Sequence, residues 1–197
     1  MMVEPADSAA LTPRAQAVAN RIDSAVLWFA THWLAVFIGY GATVVGLAAL
    51  APLLKGTGYE TASRFIYLPY RLICHQRAER SLHLHGEQMA FCERDLAIVL
   101  AAVMAGVLFA LARRWRALPN IGFVVVVMFA LPMAIDGGTQ LIGLRESTTA
   151  LRLLTGSLFS IGVGWFVLPH LESGFASIRD EIRGRRMVRR AGAAGAV

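Results

Sequence analysis

Leu96–Ala112 reads LAIVLAAVMAGVLFALA, seventeen residues without a single charge. Crossing the hydrocarbon layer of a bilayer takes about 17–25 mostly apolar helical residues. Polar sequence brackets the stretch on both sides: Cys92-Glu93-Arg94-Asp95 precedes it and Arg113-Arg114-Trp115-Arg116 follows. A segment apolar all round and bounded this sharply reads as a membrane-spanning helix, which satisfies its backbone internally where water is absent. Three further stretches of the same kind lie outward from it. The first sits within Ala25–Leu54, its start blurred by Thr31 and His32. The third is Leu118–Ile135, short and carrying Pro132, and the fourth is about Leu151–Leu168. Hydrophobic residues make up 56% of the chain and charged residues 16%, far from the balance of a soluble domain. The expected fold is all-α and polytopic, with four transmembrane helices in a bundle.

The domain organisation follows from what lies between these stretches. Residues 1–24 read as a cytoplasmic leader, since Glu4 and Asp7 stand where a signal peptide would carry basic residues. Residues 25–171 form the membrane domain, with polar loops at 55–94 and 136–149, and residues 172–197 form a basic cytoplasmic tail. Within the first loop, Phe65, Ile66, Leu72 and Ile73 recur at helical spacing with Tyr67 and Tyr70 among them. That pattern predicts a short helix lying in the membrane interface, limited by Pro69.

The formal net charge of +6 could signal nucleic acid, but its distribution argues for membrane topology. Much of it lies in Arg179–Arg190 and in Arg113–Arg116, next to spans, where anionic lipid headgroups are the natural partner. The tail has no aromatic residue to stack on a base, so no nucleic acid is expected. Placing both termini inside puts eleven Lys and Arg residues inside and eight outside. The two polar loops then share the extracytoplasmic side, so that chain-distant polar groups meet there. Asp136, at the edge of the third span, needs a partner at that depth, and Arg80 or Arg94 can supply one. The alternative for Asp136-Gly137-Gly138 is an ordinary helix-ending turn.

Small residues at four-residue spacing (Ala35, Gly39, Thr43; Ala102, Gly106, Ala110; Gly156, Ser160, Gly164) allow close helix packing in lipid. Trp28, Trp33, Trp115 and Trp165 lie mostly near span ends, as anchors do.

Chemistry concentrates in the first loop. Cys74 and Cys92 are the two cysteines, and His75, His83 and His85 lie between them. Thiolate and imidazole are preferred zinc ligands, so Cys74, His75 and Cys92 form a candidate trio, with His83, His85 or Asp136 as a fourth. No zinc-finger spacing is present. Cys92 falls near a helix N-terminus, a position that favours the thiolate. The same two thiols could instead close a disulfide in an oxidising compartment. Thiol-redox catalysis finds no closely spaced thiol pair here, and His-Glu-x-x-His, Gly-x-Ser-x-Gly and phosphate-loop motifs are absent from the sequence. No reaction is named by these residues. A different class of reading makes the chain a non-catalytic accessory subunit of a larger membrane complex, its polar loops serving as the docking surface.

One set of residues carries a resemblance: Cys74-His75-Gln76, Arg80-Ser81, Gly86, Gln88-Met89 and Cys92-x-Arg94, then Asp136-Gly137-x-Thr139-Gln140, Arg145-Glu146-Ser147, Leu151-Arg152 and Thr155-Gly156. In these the chain resembles a family of small prokaryotic membrane proteins known as domain of unknown function 2085. The resemblance implies a multi-pass protein of the plasma (inner) membrane with no assigned molecular function. It also directs attention to Gln76, Arg80, Arg94, Gln140, Arg145 and Glu146 as a polar site. The chain departs from the pattern where family members continue Cys-x-Arg-Cys: Asp95 stands at the position of the extra cysteine, and Met89-Ala90 where Met-Pro is usual. Losing a third thiol weakens a site built on sulfur alone, while Asp95 offers an oxygen ligand.

Overall fold

The computed structural model describes residues 12–113 and 121–194. Its order is α1 (Pro13–Gly56), α2 (Glu60–Tyr70), a 3-10 turn (Ala78–Arg80), a two-stranded hairpin of β1 (His83–Leu84) and β2 (Glu87–Gln88), α3 (Glu93–Ala112), α4 (Phe123–Leu141) and α5 (Thr149–Ala194). The long helices α1, α3, α4 and α5 are each apolar and long enough to cross a membrane. The all-α, four-span architecture is therefore present, and α2 is the short helix expected in the first loop.

Several bounds differ from the sequence reading. The third span begins at Phe123 rather than Leu118, and residues 114–120, with most of the basic Arg113–Arg116 loop and Trp115, lie outside the described residues. That span also runs six residues past Ile135 to Leu141, so Asp136 through Gln140 are helical and the connector shrinks to residues 142–148. The Asp-Gly-Gly sequence does not stop the helix, which continues through it to Leu141. The basic tail continues α5 as helix to Ala194. Of the leader, residues 1–11 lie outside the described residues, and the rest opens α1. Leu72 and Ile73 fall beyond α2, which ends at Tyr70 after Pro69, and are exposed.

Leu34–Glu172 makes one compact unit, and Met1–Trp33 with Ser173–Val197 makes the other. In the second of these, Trp33 is buried and stacks on Phe175, with Phe29 packed edge-on to the same ring. Trp33 is thus a packing residue rather than an exposed anchor, whereas Trp28 remains largely exposed. His32 bonds the Trp28 carbonyl through Nδ1 at 2.8 Å. The tail residue Arg189 is ion-paired with Asp23, and Arg186 donates to Ser24 at 2.8 Å.

The Leu34–Glu172 unit packs through small residues, as helices without a hydrophobic drive between them must. Gly106 lies against Phe37 and Ile38 of α1, and a Cβ there would meet them at 3.0–3.3 Å. Gly156 approaches the Arg94 carbonyl and Ala97 of α3, and Ser160 donates to the Ile98 carbonyl at 2.7 Å. Gly39 has nothing within 4 Å, and Gly41 takes its place against Val103. Above the α1 C-terminus sits a small core of Ala48, Ala51, Tyr70, Cys74, Met89, Ala90, Phe91 and Leu96. Hydrogen bonds fasten it down: Tyr70 to the Val44 carbonyl (2.6 Å), Ser63 to the Ala51 carbonyl (2.8 Å), and Ala90 N–H to the Ala48 carbonyl (3.3 Å). This strapping holds the first loop as a cap in which Cys74 is buried.

Candidate functional site

The cap brings the two thiols together through the start of α3. Cys92 is the N-cap of that helix, and its sulfur accepts the Asp95 backbone N–H at 3.5 Å. N-cap and N3 side chains converge at a helix start, as in a capping box, which places the Asp95 carboxylate beside Cys92. The Cys92 N–H in turn donates to the Cys74 sulfur at 3.2 Å. One ligand atom from each of Cys74, Cys92 and Asp95 lies within 4.8 Å of the others.

The two thiols perturb each other's titration. Cys92 donates to Cys74, which holds the Cys74 thiol below its ordinary value despite burial, with backbone N–H groups of Gln76 and Cys92 helping. The same bond, together with burial, pushes Cys92 up. Two effects therefore oppose each other at Cys92: the helix N-terminus favours its thiolate, while burial and the bond to Cys74 favour its thiol.

The histidines are not drawn into this cluster. His83 and His85 are exposed on the hairpin, where His85 (φ 53°) and Gly86 (φ 80°) form its tight turn. His75 is exposed, although it lines the same cavity as the thiols. Gln76 acts as a rivet, its amide donating to the Tyr67 and Ala90 carbonyls at 3.2 Å each. Gln88 returns the favour to the Gln76 carbonyl at 2.6 Å.

Beside the thiols, a charge network joins α3, α4, the 142–148 connector and α5. Asp136, 2% exposed, accepts from Arg94 at 2.5 Å, Arg145 at 2.7 Å and Ser147 at 2.9 Å. The anticipated Arg94 partnership is thus formed, and Arg80 pairs with Glu146 at 2.9 Å instead. Asp136 is consequently committed to holding helix ends rather than to the thiol cluster. The Arg94 guanidinium lies over Gly137, where a Cβ would stand 3.2 Å from Nη1. Gln140 donates to Glu146 at 2.7 Å and accepts from Arg94 at 3.4 Å.

A second buried pair escaped the sequence reading. Glu93, 5% exposed, accepts from Arg152 at 3.0 Å and from Thr149 at 2.9 Å. The available signal was Arg152 itself, a charge three residues inside α5 that burial would penalise unless paired. Ser147 stands in the motif Arg145-Glu146-Ser147, whereas Thr149 gave no signal of its own.

The Gln140 amide, followed by Arg80 and Arg152, holds the Glu146 carboxyl below its ordinary value of 4.5. Because folding lowers that pKa, the stabilisation is complete above the ordinary value and is lost as pH falls through the folded one. Acid unfolding of the wild type below about pH 4.5 should accordingly be steeper than that of Glu146→Gln, measured by circular dichroism in detergent. Equal acid limbs for the two chains would contradict the assignment.

The family model described as "Predicted membrane protein (DUF2085)" matches residues 74–166, a segment that opens on Cys74 and contains both clusters. An uncharacterized protein of Methanocaldococcus jannaschii is 36% identical over 106 residues, covering 53% of this chain and 67% of that protein. An uncharacterized protein of Methanothermobacter thermautotrophicus is 32% identical over 109 residues, covering 54% of this chain and 96% of that protein. No solved structure matches the chain. Four apolar helices, a thiol-bearing cap and relatives matched over most of their own length make this chain a member of the DUF2085 membrane-protein family.

Proposed function

We propose that this multi-pass membrane protein holds a zinc-like divalent metal ion in its cap, through Cys74, Cys92 and Asp95. The convergence of those three ligand atoms within 4.8 Å carries the reading. Zinc bonds sulfur at about 2.3 Å in a tetrahedron, which sets ligand sulfurs roughly 3.8 Å apart, so a small closure of the present cluster suffices. Both thiols bind a metal as thiolates, so metal binding displaces their protons. His75, on the same cavity, or an exogenous ligand takes the fourth position. The basic segments of the sequence support a cytoplasmic location for both termini, which puts the cap on the extracytoplasmic side of a prokaryotic plasma membrane.

Elemental analysis of the purified full chain tests this. The expected result is about one zinc per wild-type chain, falling to background in Cys92→Ser while the helical circular-dichroism spectrum is kept. The same thiols are close enough to bridge in an oxidising compartment. A metal-free wild type whose mass rises by two hydrogens on reduction would replace the metal with a disulfide.

A further inference from the structure

Next to the thiols a cavity of about 410 Å³ opens among Arg77, Arg80, Arg94 and Arg152, with Gln140 and His75 also on its wall. Its volume lies in the range of small-ligand sites, about 300–1,000 Å³. Asp95 is the one carboxylate on its wall among the described residues. Glu93, Asp136 and Glu146 grip three of the arginines through their terminal nitrogens, each from outside the lining set. A guanidinium carries five N–H donors, so these pairs orient the arginines without exhausting them. Among the described residues, the Nε–H groups of Arg80, Arg94 and Arg152 are buried with no acceptor. Arg152 itself is 5% exposed and lines the cavity wall. The ion pairs leave the three buried Nε–H groups without an acceptor, at a cost of about 1–3 kcal/mol each, while all four arginines line the cavity wall.

We propose that this cavity binds a phosphate group, presented by a lipid headgroup or by a free phosphate ester. A phosphate's several acceptor oxygens match the planar forks of clustered arginines. The wall also includes exposed apolar side chains, Ile73 and Leu141, beside exposed Leu72, Ile142 and Leu144. An amphiphile whose head enters the arginines and whose chain lies on these residues matches both parts of the surface. The inference stands on the arginines and does not require a metal at the thiols.

The test uses the full chain in detergent micelles at fixed ionic strength, with inorganic phosphate and phosphatidic acid as probes. Thermal shift follows inorganic phosphate against chloride, and native mass spectrometry follows phosphatidic acid against neutral diacylglycerol. Binding of phosphatidic acid alone assigns a lipid headgroup, and binding of both probes admits free phosphate esters; either result supports the site. Arg80→Gln should weaken binding about tenfold, the loss of one charge-assisted hydrogen bond. Arg77→Gln should weaken it by a smaller factor; its exposed side chain makes no ion pair among the described residues, so the fold survives the change. Failure of both probes to bind overturns the proposal. So does binding that both arginine variants leave unchanged, or binding that Cys92→Ser alone abolishes, which would place the phosphate on the thiol cluster.

Discussion

Asp136→Ala should lower stability by about 3–5 kcal/mol, the usual cost of removing one partner from a buried ion pair. The carboxylate is 2% exposed and takes three hydrogen bonds, from Arg94, Arg145 and Ser147. Its removal strands Arg94, whose side chain is only 19% exposed, in a region where α3, α4 and α5 converge. Arg145 is 42% exposed and recovers much of its loss from water, so the larger share of the penalty belongs to Arg94. Denaturant unfolding in detergent, followed by helical circular dichroism, measures the effect. The double variant Asp136→Ala/Arg94→Gln should lose less than the sum of its parts, because the stranded charge is gone. A single-variant loss below about 1 kcal/mol, within the range of ordinary substitutions, would show that the carboxylate holds nothing together.

Gly162→Leu should be destabilising by about 1–3 kcal/mol or more through overpacking. A Cβ at this position would stand 2.4 Å from the Phe129 Cβ and 2.8 Å from its Cγ. Those atoms are close to the α4 backbone, so a rotamer change cannot clear them and the helices must separate. Separation forfeits the close contact on which helix association in lipid depends. Gly39→Ala is the matched control: nothing lies within 4 Å of a Cβ there, and the change removes a helix-weakening glycine. The pair separates packing from propensity, since Gly39→Ala should be neutral or mildly stabilising in the same unfolding assay. Equal destabilisation by both would refute the packing argument.

The contrast between these glycines shows where sequence reading stopped. Gly106, Gly156 and Gly164 belong to the small-residue spacing read from sequence, and each has side-chain or backbone atoms within 3.0–3.4 Å of its Cβ position. Gly39 belongs to the same pattern and touches nothing, while Gly41 and Gly162 fell outside it and make the tightest approaches. A four-residue period defines a face, but which face meets a neighbour depends on helix rotation. The site behaves likewise. Cys74 and Cys92 were legible as a pair, and the charge at Asp136 correctly demanded an arginine. Glu93 was passed over because a glutamate at the first turn of a helix is ordinary surface chemistry; only the fold buries it under Arg152.

The sequence by itself determined the four spans, the all-α class, the polar cap between the first two spans and the chemical types gathered in it. These follow from local properties, apolar run length and the cost of exposing backbone to lipid. Tertiary structure decided which polar groups meet. Arg94 finds Asp136 across 42 residues, and Arg152 finds Glu93 across 59. Asp95 joins the thiols while His75, adjacent in sequence to Cys74, stays exposed. Such choices are made where helix ends converge and a buried charge is stable only beside its partner, a condition that no single stretch of chain contains.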